Sequence, residues 1–178
     1  KNPSAIFLSG HDQPVPGSVV TVVREVTRPI LLEVQELVDP SHLNNPRRVA
    51  LGLEHNRLAM MLAVMHRHGG NALSDHHVFI NVVGGMRVTE TAADLPMLMA
   101  LHSSYRDHPL SDKMVSFGEV GLSGEIRPVP DGEQRLREAV GHGYTTAVIP
   151  AANAPRKKIG ALEVIAVNLV QAVLEKVF

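Results

Sequence analysis

Two runs of β-branched and aliphatic residues, 18–24 and 30–38, separated by a turn near Thr27-Arg28-Pro29, constrain this chain more than any other feature. Val, Ile and Thr lose rotamer freedom in a helix and pack well on a pleated surface, and the partial alternation of both runs suits two antiparallel strands. A sheet that begins so early needs cover. Residues 58–64 are apolar on every side of a helix that stops at Gly69-Gly70, and a second strongly apolar helix runs from about Ala92 to Tyr105. Helices without a polar face bury more than one side.

The remaining chain keeps alternating between the two kinds of element. Residues 39–48, rich in Pro and Asn, read as a loop, and 77–83 as a continuously apolar strand covered on both faces. Residues 114–120 and 124–129 are further strands, 145–150 and 162–166 short ones around a basic loop at 151–158, and 168–177 a closing amphipathic helix. Thr91 followed by Asp94 reads as a capping-box start, and Asp131 as an N-cap with Gln134 at the third helical position. Pro96, near the end of a first turn, predicts a slight distortion there. Strand pairs alternating with helices give an α/β fold on a mixed sheet, with residues 1–17 as a polar lead-in and 18–178 as the folded domain.

A length of 178 residues with 44% hydrophobic and 20% charged content is enough for one domain with a sizeable core. The net charge of -1 excludes a surface that attracts nucleic acid everywhere, so DNA contact requires a local patch. An aromatic content of 3%, without Trp, does not furnish a row of base-stacking platforms. The absence of cysteine excludes disulfides and cysteine-based zinc sites within the chain and fits a cytoplasmic protein, and no apolar run is long enough to span a membrane. There is no Gly-x-x-x-x-Gly-Lys-[Ser/Thr] phosphate loop, so the chain is not itself an ATPase of that kind.

Ten histidines raise the question of a metal. His66 and His68 point about 200° apart on a helix, and His76 and His77 fall on opposite faces of a strand, so neither pair converges and no metal is expected. Basic residues form two groups, Arg47, Arg48, Arg57 and Arg67 around the first buried helix and Arg156, Lys157 and Lys158 in the late loop. Arg outnumbers Lys twelve to five, which suits bidentate contact with phosphate. Solvated surface charge explains each group equally well on sequence alone.

Residues 118–133, Gly-Glu-Val-Gly-Leu-Ser-Gly-Glu-Ile-Arg-Pro-Val-Pro-Asp-Gly-Glu, run as strand, Gly-marked turn, short strand and helix start. Together with 17–23, 27–38, 52–59 and 81–95 they resemble Lon-type serine-lysine peptidases, most closely the C-terminal Lon-like domain of the bacterial RadA (Sms) DNA-repair family. The resemblance implies a Lon proteolytic-domain-like fold related to ribosomal protein S5 domain 2. It places Ala92 where those peptidases carry the serine and Glu133 where they carry the lysine. A carboxylate at a helix N-terminus stays ionised and cannot act as the amine base, so no catalytic residue is expected. In such a family the parent protein is a hexameric ATP-driven motor that assists branch migration, with ATP, Mg and Zn sites in upstream domains. The chain then reads as an excised, non-catalytic platform for double-stranded or branched DNA, for hexamer assembly and for recombination proteins. A residual serine/threonine peptidase using Thr89 or Thr91 beside Glu90, Asp94 or Glu133, and an oligomerisation scaffold without DNA contact, are the alternatives.

Overall fold

The structure, a computed structural model, describes residues 7–178. β1 (Ser18–Glu25) and β2 (Arg28–Pro40) form the expected hairpin, with Val22 opposite Leu31 and Val20 opposite Glu33. There follow β3 (Arg48–Leu51), α1 (His55–His68), β4 (His76–Val82), α2 (Asp94–Tyr105), β5 (Met114–Ser116), β6 (Glu119–Val120), β7 (Ile126–Arg127), α3 (Gly132–Gly141), β8 (Thr146–Pro150), β9 (Glu163–Val167) and α4 (Val170–Val177). Seven strands make one mixed sheet in the order β3-β4-β2-β1-β5-β8-β9, and β6 pairs with β7 in a separate ribbon. β2 is antiparallel to both its neighbours, β1 and β4, while β3 runs parallel to β4, and β1, β5, β8 and β9 run parallel to one another. This is a Lon-like α/β architecture.

Period-two alternation divides the strands between two cores. Val19 and Val23 of β1, with Ile30, Leu32, Val34 and Val38 of β2, join Leu58, Met61 and Met65 of α1, Leu98 and Leu101 of α2, and Val170 and Val173 of α4. Val22 and Leu31 turn to the other face, where they meet Val115, Phe117 and Leu136 and Ala139 of α3. Ten of the twelve residues of α2 are buried, as its all-round apolar character requires.

Five expectations are corrected. Within and just beyond the segment read as a loop, Arg48–Leu51 forms β3, a parallel edge strand on β4. β4 is covered on one face only: Val78, Ile80 and Val82 are buried, while His77 and Phe79 are half-buried and Asn81 exposed, because α3 packs on β1 and β2 and stops short of β4. The uncovered face holds a groove of 370 Å³ between the lead-in and β3, in which Leu37 is 56% and Leu51 59% exposed. Third, the expected strand 114–120 breaks at Gly118, whose N–H donates to Ala92 O at 2.8 Å and whose carbonyl accepts from Leu95 N–H at 2.9 Å. With its backbone committed to the start of α2, residue 118 cannot continue the ladder, and β6 leaves the main sheet. A Cβ there would lie 3.1 Å from Pro150 Cγ at a φ of 155°, so glycine is required. Fourth, the expected strand 124–129 shrinks to β7. Last, a 3-10 turn, Thr91–Ala93, precedes α2, which starts at Asp94 instead of near Ala92, and the distortion expected at Pro96 does not appear within the helix. Pro96 then falls at the third residue of the helix, where a missing N–H costs nothing.

Two glutamates of β2 are buried in opposite ways. The first six residues of the lead-in lie outside the described residues, but Ser9 is fastened to Glu33, which accepts its N–H at 2.9 Å and its hydroxyl at 2.7 Å. Ser18 Oγ and Gln35 Nε2 donate to the same carboxylate at 2.9 and 2.8 Å. Burial pushes the Glu33 carboxyl up, yet these bonds outweigh it and hold the group below the usual carboxylate range. Glu36, 5% exposed on the α2 side, has no hydrogen-bond partner for either oxygen. Burial pushes it well above the usual range, offset only in part by the Leu101 N–H, which lies outside hydrogen-bond geometry.

Because the Glu36 pKa is raised on folding, its stabilising share is complete below the unfolded value and is lost as pH rises towards the folded one. Between those limits the wild type should lose up to about 1.4 kcal/mol per pH unit through this group. Urea unfolding from pH 4 to 9 should show that slope reduced in Glu36→Gln, with the variant the more stable at the alkaline end.

Candidate functional site

The segment that would carry a peptidase site lies at the end of the sheet where β1, β5 and β8 finish. Ala92 sits in the 3-10 turn before α2, 2% exposed, in the core shared by Val22 and Phe117. Glu133, in the first turn of α3, is solvated and pairs with Arg137 one turn on, at 2.8 Å. One position is a buried methyl and the other a surface ion pair. Of the two caps read from sequence, the one at Thr91 is overturned, while Asp131 holds the N-cap position of α3 without making a capping bond. Thr91 Oγ1 donates to Glu119 at 2.6 Å instead of to a helix N–H, and Asp131, in the left-handed region with φ 61°, directs its carboxylate to Arg24.

Charged side chains fill the space around these positions. Asp94 accepts from Arg57 Nε at 3.1 Å, from Arg57 Nη2, and from the Val120 N–H at 3.1 Å. Burial pushes its carboxyl up and the Arg57 guanidinium offsets part of that. Arg135, 2% exposed, donates to Pro130 O at 2.9 Å, to Val22 O at 2.7 Å and to Glu90, with its guanidinium 5.8 Å from the Phe117 ring centre. Arg127 bridges Glu119 at 3.3 Å and Glu125 at 2.7 Å. This network ties α1, α2, α3 and the β6–β7 ribbon together and leaves beside Glu90 a cavity of only 80 Å³.

Chemically the arrangement holds charge in place. The Thr91 hydroxyl donates to the Glu119 carboxylate, which also pairs with Arg127, and not to a base that could take its proton. The Gly118 and Val120 N–H groups, which could have stabilised an oxyanion, are bonded to Ala92 O and Asp94.

The basic residues separate into engaged and solvated groups. Arg57 belongs to Asp94, and Arg48 donates to Leu73 O at 2.6 Å, with burial holding its guanidinium below its usual pKa. Both are structural cations, which removes them from the expected phosphate-binding set. Arg47 and Arg67 are exposed, as are Arg156, Lys157 and Lys158. Arg47 precedes β3 at one edge of the sheet, while the 156–158 loop joins β8 to β9 at the opposite edge. Six inter-strand gaps put them roughly 29 Å apart, so they form two patches. The histidines read as non-converging pairs have separate partners: His68 meets Leu122 O, His76 meets Asp75 and His77 accepts from the Arg47 N–H. Among the described residues no group of three or more His, Asp or Glu could hold a metal ion. Sequence reasoning missed Arg135 and Glu119, and no local signal pointed to Arg135, since it and Val22 are 113 residues apart.

The mixed sheet and its flanking helices define a Lon-like α/β domain. Residues 54–153 match the family model described as subunit ChlI of Mg-chelatase, and the chain belongs to that family. It is 56% identical over 177 residues to the DNA repair protein RadA of Pseudomonas aeruginosa, covering 99% of this chain and 39% of that protein. RadA of Escherichia coli is 58% identical over 167 residues (94% and 36%), and RadA of Bacillus subtilis 42% over 152 (85% and 33%). The chain thus spans less than two fifths of the length of these relatives. Among the described residues no helix is long and apolar enough to cross a membrane.

Removing Arg57 leaves the Asp94 carboxylate buried without its cation. Arg57→Ala should therefore cost about 3 kcal/mol in chemical unfolding, and Arg57→Ala with Asp94→Ala less than the two single losses summed. A variant as stable as wild type would show that the pair holds nothing together.

Proposed function

We propose that this chain is a non-catalytic Lon-like domain of a RadA-type DNA repair protein, working as a platform for DNA binding and hexamer assembly. One observation carries the reading. The domain matches proteins named for DNA repair over nearly its whole length, while both dyad positions, Ala92 and Glu133, hold groups without peptidase chemistry. On this reading the ATP, Mg and Zn sites, and the branch-migration activity they power, reside in other domains of the longer cytoplasmic protein, which works with recombination proteins. Arg47, Arg67, Arg156, Lys157 and Lys158 touch phosphates of double-stranded or branched DNA without reading base edges. Arg48 and Arg57 support this surface from within.

Two observations favour narrower readings. The engagement of Arg48 and Arg57 and the net charge of -1 favour an assembly scaffold that does not touch DNA. The Thr91 hydroxyl on Glu119 is what a residual peptidase would start from, and casein cleavage lost in Thr91→Ala would establish it.

Titration of a fluorescent duplex at increasing salt tests the DNA reading. Affinity should fall steeply with salt, and Arg47→Ala with Arg67→Ala should flatten the log–log slope by roughly one to two units, about equally for unrelated sequences. Unchanged binding by that folded variant and by the Arg156→Ala, Lys157→Ala, Lys158→Ala variant would leave the scaffold reading. Assembly has its own test, because the uncovered sheet face exposes Leu37 and Leu51 where a second copy can bury them. Leu37→Lys with Leu51→Lys should shift sedimentation at high protein concentration towards monomer.

A further inference from the structure

α2 begins at the degenerate site and ends, twelve residues and roughly 18 Å later, at a second concave surface between its own C-terminus and those of α1 and α4. The cavity there measures 340 Å³ and is lined by Asn71, His102, Tyr105, Arg106, His108 and Phe178, with Gly69, Gly70 and Leu174 at its margins. No side-chain carboxylate lines it.

His102 is built into this wall. It is only 8% exposed, and its ring packs edge-on against Phe178 at 4.5 Å between centres, with His108 on the same phenyl ring at 5.5 Å. Asn71, itself buried, places its amide nitrogen 2.9 Å from His102 Nδ1. An amide nitrogen donates, so Nδ1 accepts and the proton of the neutral ring is on Nε2. That N–H has no hydrogen-bond partner among the described residues, although the ring is otherwise enclosed. Burial, with the nearby charges of Arg106 and His108, pulls the His102 pKa down to about 4, so the ring is a neutral donor at pH 7. The Arg106 and His108 side chains are exposed and border the cavity.

We propose that this cavity is a binding site for a phosphate group, held by the His102 Nε2–H, the Arg106 guanidinium and the His108 ring. A buried neutral donor fixes the position of one oxygen, and the guanidinium supplies a planar fork and charge at the rim. Asn71 sets the tautomer and so acts on the phosphate through His102. A free phosphate and a phosphodiester of nucleic acid share this chemistry. The site does not depend on the DNA reading: it lies apart from the 156–158 loop and survives that reading's failure.

The experiment follows the His102 and His108 imidazole NMR signals of the whole chain at pH 7, at constant ionic strength, while inorganic phosphate replaces chloride. A saturable shift at His102 is expected, with affinity reduced about tenfold or more in Arg106→Ala, an exposed change that leaves the fold alone. His102→Phe, which keeps the ring and loses the donor, should abolish saturable binding measured on His108. Bound phosphate should also raise the His102 pKa, because an anion offsets the cations that depress it. A short duplex that produces the same His102 shift and competes with phosphate identifies nucleic acid as the source. A duplex without effect, where phosphate saturates, identifies free phosphate. Non-saturable shifts with both, or an affinity indifferent to Arg106→Ala, would overturn the site.

Discussion

One carboxylate, that of Asp94, decides how the elements around the candidate site are arranged. It opens α2, takes both donors of Arg57 from α1 and receives the Val120 N–H from β6. A buried ion pair is not automatically stabilising relative to apolar side chains, since desolvating both partners costs several kcal/mol. Its stronger effect is on geometry: with the charge buried, α1 can pack on α2 in one register only, and β6 must leave the main sheet to bring Val120 within reach. The commitment of Gly118 to Ala92 and Leu95 follows from the same departure. A segment shaped like a peptidase site is thereby braced as structure.

Elements governed by local pattern were legible in the sequence. The β-branched runs became β1 and β2, and the apolar helices became α1 and α2. What failed was decided by distant partners. β3 has four residues and forms because β4 offers a free edge, which no feature of the Pro- and Asn-rich segment announces. Thr91 and Asp94 carry capping chemistry, but Glu119 and Arg57 compete for them and win. The same holds for the basic groups: a linear count treats Arg47, Arg48 and Arg57 alike, whereas only the fold shows that two of the three guanidinium groups face inward. At the site, the network around Arg135 was beyond any short-range reading, since its partners Val22 and Glu90 lie far away in the chain.

The two ends of α2 differ in electrostatic character. At its start, acids and guanidinium groups cancel one another in fixed pairs, so little net field reaches solvent. At its end, His102 is buried among groups that disfavour its proton. A nearly neutral chain can therefore still present a localised positive surface, and binding would be governed by that distribution rather than by the sum of charges.

The bond between Ser9 and Glu33 alters how the lead-in transmits force. A polar, Pro-rich segment ahead of a domain ordinarily behaves as a tether, and motion at one end of a tether is dissipated by its own bending. Here the segment is clamped to β2, which at 13 residues is the longest strand of the sheet and has β4 and β1 on either side. The lead-in from Ser9 onward is thereby held against the middle of the sheet at Glu33 instead of hanging free as a tether.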